Sequence, residues 1–299
     1  MMIKAGNNEM IREMEWCRDI VDERLHELFA EAGSSYATLV ESMRYSLLAG
    51  GKRVRAVICM KFCEASGGRP EDAIDAACAI EMLHTYSLIH DDLPSMDGDD
   101  MRRGKPSNHV EYGEFTATLA GDALQAAAFE TLANAPLPAS SVIEMIKILS
   151  YAAGAHGICG GQYLDLSGEG WHLTIDELLE LYAMKTAALI SAAARLGVIA
   201  GGGSYEQVAA ADAYAGAIGL AFQVRDDVLD CIATTEELGK PTGSDIENEK
   251  STFASLLGTE ACEKMINKET EKAISAIEGK FDNTEFLTWL ALVLAERKN

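Results

Sequence analysis

Phe222-Gln223-Val224-Arg225-Asp226-Asp227-Val228-Leu229-Asp230 sets Gln223, Asp226, Asp227 and Asp230 at i, i+3, i+4 and i+7. That spacing puts four polar side chains on one face of an α-helix. Ala221, Phe222, Val228 and Leu229 surround them with apolar side chains. The same period appears far upstream, where Ile11, Met14, Ile20, Val21, Leu25, Leu28 and Phe29 recur at three- and four-residue steps with charges between them. Thr174-Ile175-Asp176-Glu177, ahead of Leu178 and Leu179, is a capping box that opens another helix. Alternating β-branched runs are missing, and only six prolines interrupt the chain. Gly and Pro clusters at Gly50-Gly51, Gly67 to Pro70, Pro136 to Pro138, Gly160-Gly161 and Gly201 to Gly203 divide the pattern into about ten helices. No low-complexity linker splits it. The reading is all-α, one domain over residues 1–299.

A second acidic stretch lies upstream: His90-Asp91-Asp92-Leu93-Pro94-Ser95-Met96-Asp97-Gly98-Asp99-Asp100, followed by Arg102, Arg103 and Lys105. Carboxylates this close repel one another unless a cation sits among them. Oxygen ligands suit Mg²⁺, which keeps some waters and takes its other ligands from substrate phosphates. Asp91 and Asp97 are six apart and do not align on a regular helix. A bulge at Pro94 would return Asp97 to the face of Asp91. The cluster around Asp226 is also trailed by basic residues, Lys240 and Lys250. Facing each other across a cavity, the two clusters would hold metal ions around a diphosphate.

Charge and composition narrow the classes. The net charge of −22 argues against nucleic acid and against anionic membrane surfaces. Basic residues are few between Lys105 and Lys185, where Lys147 stands alone, and they gather at Lys52, Arg53 and Arg55 and at Arg102, Arg103 and Lys105. The N-terminus turns polar within a few residues, so no signal peptide is expected. The apolar stretch from Ala187 to Gly203 carries Arg195 and reads as a buried helix, not a membrane span. Seven cysteines without a CxxC pair suggest a reduced, cytoplasmic chain, with Cys59 and Cys63 as buried thiols on one helix. His26, His90, His109, His156 and His172 read as structural or exposed. Trp16, Trp171 and Trp289 read as packing residues, and Lys264, Lys268, Lys272 and Lys280 as a solvated face.

The motifs together resemble the trans-isoprenyl diphosphate synthases, most closely the bacterial farnesyl diphosphate synthases. They are Gly50-Gly51-Lys52-Arg53-Val54-Arg55, His84 through Asp97, Arg102 through His109, Gly160 through Asp165, Lys185-Thr186, and Phe222 through Asp230 with Gly239-Lys240 and Lys250-Ser251-Thr252. The likeness runs from about Tyr36 to the C-terminus. It implies the isoprenoid synthase fold, helices around a central cavity, usually as a homodimer. It also implies Asp91, Asp97 and Asp226 as ligands of Mg²⁺, three ions with substrate bound, and Asp92, Asp227 and Asp230 as outer partners. Lys52, Arg55, His84 and Arg103 would hold the diphosphate of isopentenyl diphosphate without metal. Arg102, Lys185, Lys240 and Lys250 would grip the allylic diphosphate. Thr186 and Gln223 would stabilise the allylic cation as fixed dipoles. Two departures stand out: Ala56 replaces the family's usual proline, and Asp245 to Lys250 is more acidic than the family pattern.

The expected product is farnesyl diphosphate. The allylic tail should run from Asp91 back along its helix, and Tyr86, beside small Ser87, lies five residues before Asp91, ~7–8 Å deeper. In the family an aromatic residue there goes with fifteen-carbon products. The alternatives are a geranylgeranyl diphosphate synthase and a catalytically silent partner subunit. A class I terpene cyclase shares one aspartate-rich helix but typically uses an Asn/Ser/Glu motif in place of the second.

Overall fold

The computed structural model describes residues 2–30, 35–168, 170, 172–232 and 251–297. They form an all-helical chain, with fourteen α-helices where about ten were expected: α1 (Met2–Leu28), α2 (Ala37–Leu47), α3 (Val54–Ala65), α4 (Ile74–Asp91), α5 (Asn108–Tyr112), α6 (Glu114–Ala133), α7 (Ala139–Ala153), α8 (Ile158–Ser167), α9 (Ile175–Tyr182), α10 (Ala188–Ala200), α11 (Tyr205–Ile232), α12 (Phe253–Leu257), α13 (Thr259–Ile277) and α14 (Glu285–Glu296). Among the described residues the strand content is one ribbon that the sequence pattern did not suggest. In it β1 (Met101–Arg102) pairs antiparallel with β2 (Lys105–Pro106), Arg102 opposite Lys105. The helices group into two compact units, Met1–Leu149 with Arg195–Gly203, and Ser150–Ala194 with Ser204–Asn299.

In the first unit α4 is the central element. Its residues are buried on every side, from Ala76 through Leu83 and again at Tyr86 and Ile89, as befits a helix apolar all round. Each fully buried Leu, Ile or Met contributes about 1.5–3 kcal/mol. Helix α6 meets it with a small-residue face, Ala117, Ala120, Gly121, Leu124 and Ala128, at i, i+3, i+4, i+7 and i+11. Helix α3 is buried along nearly its whole length. Gly197 and Gly201 lie against it so closely that a Cβ would fall 2.0 Å from the Cys59 carbonyl oxygen and 2.4 Å from that of Cys63. Cys59 and Cys63 are buried, as their setting suggested.

In the second unit α11 packs on α13, and Leu178, Leu181, Tyr182, Val224, Val228, Phe253 and Ile266 share one core. The expected capping box forms: the Thr174 N–H donates to Glu177 Oε2 at 2.8 Å, and the Glu177 N–H donates to Thr174 Oγ1 at 3.4 Å. Lys264 pairs with Glu260 on the solvated face of α13, as expected, whereas the partner of Lys272, Glu269, is buried. Trp16 is a correction, since it is 42% exposed and not a core packer. Trp171 lies outside the described residues.

Residues Ala139–Ser167 and Ile175–Ala200 are long and apolar enough to cross a membrane by length and composition alone. The first is broken by a turn at 154–157. About half of each is buried within the protein, and core helices of soluble proteins meet the same criterion.

Candidate active site

The first unit carries two groups of charged residues at adjoining ends of α3 and α4. Helix α4 does not continue through a bulge at Pro94, as the spacing had suggested. It ends at Asp91, and Leu93 to Asp97 form a turn. Proline disfavours helical backbone in the residue before it, which accounts for the stop. The turn achieves the same return by other means: the Asp97 N–H donates to the Asp91 carbonyl oxygen at 2.9 Å, and the Gly98 N–H to the Leu93 carbonyl at 3.1 Å. Gly98 adopts φ +68°, a left-handed conformation glycine takes without strain. Asp97 is exposed and Asp91 half-buried.

Asp92 points the other way and is only 2% exposed. Burial pushes its carboxyl above the usual range, while Arg102 pulls it down. Arg102 reaches it from the β-ribbon through Nε at 2.9 Å and also through NH2, which donates to Asp99 at 3.0 Å as well. Arg102 is therefore tied to two carboxylates.

The basic group forms around the Gly50-Gly51 turn. Arg103, itself at φ +53°, donates from NH1 to the Gly50 carbonyl. A Cβ on Gly51, whose φ is +135°, would stand 3.2 Å from the Arg103 guanidinium carbon. Lys52 is exposed beside this turn. Arg55, on the first turn of α3, brings NH1 to 3.4 Å from Nε2 of His84 on α4, and its Nε is buried without a hydrogen-bond partner. Burial holds the His84 imidazole well below its ordinary 6.5, and Arg55, Arg103, Arg53 and Arg102 depress it further. His84 is thus a neutral ring among guanidinium groups, and the buried Arg55 N–H is an unused donor. Such a set fits an anion.

The second unit holds a cavity of about 190 Å³ whose lining includes Asp165, Tyr182, Lys185, Thr186, Gln223 and Asp227. Lys185 and Thr186 sit on a π-turn, Ala183–Ala187, a local widening frequent at functional sites. Gly161 of α8 lies so close that a Cβ would fall 2.3 Å from the Lys185 nitrogen. Lys185 Nζ meets Asp165 Oδ2 at 2.5 Å, and Thr186 Oγ1 donates to Gln223 Oε1 at 3.0 Å. Asp227 is buried, accepting from the Tyr182 hydroxyl at 3.0 and 3.1 Å and from the Phe253 N–H at 2.8 Å. Asp226, one residue away, is more exposed and pairs with Arg297. Arg297 also covers the Phe222 ring at 3.7 Å.

Within the first unit Arg55 meets His84, and Asp97 is bonded back to Asp91; within the second, Lys185, Thr186 and Gln223 line one cavity together with Asp227, while Asp226 pairs outside that lining with Arg297. Lys240 and Lys250 lie outside the described residues. Sequence reasoning gave no role to Asp165, Tyr182 or Arg297. Asp165 was visible as the last residue of the Gly160 motif, whereas Arg297 carried no signal beyond being basic.

Magnesium fits this donor set. The candidate ligands are hard carboxylate oxygens, and Asp230, 9% exposed, has a buried Oδ1 with no hydrogen-bond partner. Among the described residues no three His, Cys, Asp or Glu side chains converge on one point. Each cluster offers an open, partial shell, which suits an ion that completes its coordination with water and phosphate oxygens.

Comparison with known proteins agrees. Residues 36–287 match the polyprenyl synthetase family. The chain is 46% identical over 270 residues to the large subunit 1 of a heterodimeric geranylgeranyl pyrophosphate synthase from Arabidopsis thaliana, covering 87% of this chain and 72% of that protein. It is 43% identical over 269 residues to a geranylgeranyl diphosphate synthase from Cyanophora paradoxa, covering 89% of each. Among solved structures, an FPP/GFPP synthase from Zymomonas mobilis superposes with TM-score 0.85 at 33% identity, over 96% of this chain and 99% of that one. A geranylgeranyl pyrophosphate synthetase from Pyrococcus horikoshii gives TM-score 0.88 at 33% identity, over 97% and 99%. With the all-α isoprenoid synthase fold and the aspartate motifs in place, the chain belongs to the polyprenyl synthetase family of trans-prenyltransferases.

Proposed function

We propose that this prenyltransferase condenses isopentenyl diphosphate head to tail with dimethylallyl and then geranyl diphosphate, releasing farnesyl diphosphate. Arg55, His84, Arg103 and Lys52 bind the diphosphate of isopentenyl diphosphate, a site that needs no metal because guanidinium and ammonium groups supply the charge. Lys185, held by Asp165, binds the allylic diphosphate, with Lys240, Lys250 and Arg102 as further cations. Asp91, Asp97 and Asp226 would hold Mg²⁺, which when bound neutralises charge on the departing diphosphate. Thr186 and Gln223 present paired oxygens to the allylic cation as oriented dipoles that do not react with it. Tyr182 and the Phe253 N–H hold Asp227 in place, one residue from Asp226.

The observation that carries the farnesyl assignment is Tyr86: buried, on α4, and five residues before Asp91. The names of the plant and algal relatives favour geranylgeranyl diphosphate as the second reading. Purified protein given Mg²⁺, isopentenyl diphosphate and dimethylallyl diphosphate decides between them by product chain length. A twenty-carbon product would overturn the farnesyl reading, and no turnover would favour a silent subunit. The expected homodimer is supported by Phe115 and Leu119, 77% and 50% exposed and one turn apart on α6. Five buried cysteines support a reducing, cytoplasmic setting.

A further inference from the structure

Arg53 sits in the middle of the Lys52–Arg55 motif, yet its guanidinium is turned away from solvent, 1% exposed. Its backbone is left-handed, φ +48°, and among the described non-glycine residues only Arg103 shares a positive φ. Such a conformation persists where the surroundings over-determine it. Here they do. Nε donates to Asp22 of α1 at 2.9 Å, NH1 to Glu81 of α4 at 3.2 Å, and NH2 to the Leu47 carbonyl of α2 at 2.5 Å. Three helices are pinned to one planar group, which stands at the N-cap of a fourth, α3.

Glu81 does a second thing. Its other oxygen accepts the backbone N–H of Ala56 at 3.3 Å, so one buried carboxylate grips the residue before α3 and the first turn of α3. Arg55 lies between those two grips. Glu81 also precedes His84 by three residues, on the same face of α4. The carboxylate therefore sets the distance at which Arg55 meets His84. The Ala56 N–H is a donor that the proline usual at this position would lack.

We propose that Arg53 and Glu81 are positioning residues for the metal-free diphosphate site, fixing Arg55 against His84 without touching substrate. The inference rests on the reading of Arg55, His84 and Arg103 as that site. A buried ion pair is weak evidence for stability, since apolar residues of similar volume often serve as well. What this pair supplies is a fixed direction for Arg55, whose planar fork works only when aimed.

The test uses the full chain with Mg²⁺ and varies isopentenyl diphosphate at saturating allylic substrate. Isopentenyl diphosphate is also titrated calorimetrically in chelator. In Arg53→Lys one ammonium cannot reach Asp22, Glu81 and Leu47 together, so the KM and metal-free Kd for isopentenyl diphosphate should rise about tenfold. The allylic KM and kcat should change less than about twofold. Asp22→Asn, which leaves Glu81 and Arg53 paired, should shift the same two constants a few-fold. Unchanged constants, or equal losses for both substrates and kcat, would overturn the proposal. If Arg53→Lys loses its helical circular dichroism, Asp22→Asn decides by the same criterion. Arg55→Ala is the control: if its isopentenyl diphosphate constants stay normal, the site assignment itself fails and takes the proposal with it. A large Arg55→Ala effect with none in Arg53→Lys or Asp22→Asn removes the positioning role alone.

Discussion

The Asp97 N–H donates to the Asp91 carbonyl oxygen at 2.9 Å, joining across one turn two aspartates that are six apart in the chain. The bond fixes the spacing of two carboxylates after their helix has ended. It leaves the side chain of Asp97 exposed, toward solvent and any ion carried there.

Removing a carboxylate from either aspartate cluster should cripple catalysis while sparing the fold. Asp91→Ala and Asp226→Ala should each lower kcat by about three orders of magnitude, because each deletes charge neutralisation needed chiefly in the transition state. Chelator should silence the wild type and Mg²⁺ restore it. Gly98→Ala should cost about 1–2 kcal/mol, since φ +68° is left-handed, and should impair kcat by loosening Asp97. Steady-state rates and thermal melts separate the effects, and full activity in either aspartate variant would remove the metal assignment.

The Lys185 region should respond in two distinct ways. Lys185→Ala removes a charge-assisted contact worth on the order of 1.5–3 kcal/mol, so allylic substrate use should fall ten- to hundredfold. Gly161→Ala should act indirectly: its Cβ meets the Lys185 backbone at 2.3 Å and 2.6 Å, and backbone cannot swing aside as a side-chain tip can. A destabilisation of about 1–3 kcal/mol is expected, with a loss of allylic affinity smaller than that of Lys185→Ala. Melting temperature and allylic KM measure the two, and a Gly161→Ala protein indistinguishable from wild type would mean that the π-turn tolerates displacement.

Much of this was legible in the sequence because helix periodicity is local. Gln223, Asp226, Asp227 and Asp230 share a face by spacing alone, and the Thr174–Glu177 cap follows from two residues three apart. What the sequence hid was long-range. Spacing alone does not tell Asp92 and Asp227 from Asp91 and Asp226; the resemblance made them outer partners, and what it could not show is the burial and the partners 10 and 26 residues away that anchor them. The β-ribbon was missed because two residues per strand carry no period. The stop after Asp91 was read as a bulge because a proline disrupts a helix in either case, and the turn bonds that choose between them leave no pattern.

Protonation of His84 should weaken the fold on the acid side. Its folded value lies well below the ordinary 6.5, so the unfolded chain binds the proton more readily between the two. Stability from this group is therefore complete above about pH 6.5 and is lost as pH falls through the folded value. Wild type should lose more melting temperature between pH 7 and pH 5 than His84→Gln, which has no proton to take up. Equal losses in the two proteins would show that the ring is not held neutral by its neighbours.

Product length rests on Tyr86. Its ring is 4% exposed and stands edge-on to His90 on the same helix, centroids 5.6 Å apart at 83°. His90 is itself braced, with Nε2 3.0 Å from the Thr118 carbonyl of α6 and with Gly121 leaving room where a Cβ would be 2.2 Å away. The ring is thus packed against a histidine that α6 holds in place. Five residues of helix separate Tyr86 from Asp91, ~7.5 Å at 1.5 Å per residue, on the side away from the turn that carries Asp97. Tyr86→Ala should shift the main product from farnesyl to geranylgeranyl and longer diphosphates. Ser87→Phe, adding a second ring beside the first, should shorten products toward geranyl. Truncating a buried aromatic costs about 3–5 kcal/mol, so both variants are assayed well below their melting temperatures. Chromatography of the dephosphorylated alcohols reads the outcome. A farnesyl product unchanged in Tyr86→Ala would place the floor elsewhere and remove the main reason for preferring fifteen carbons to twenty.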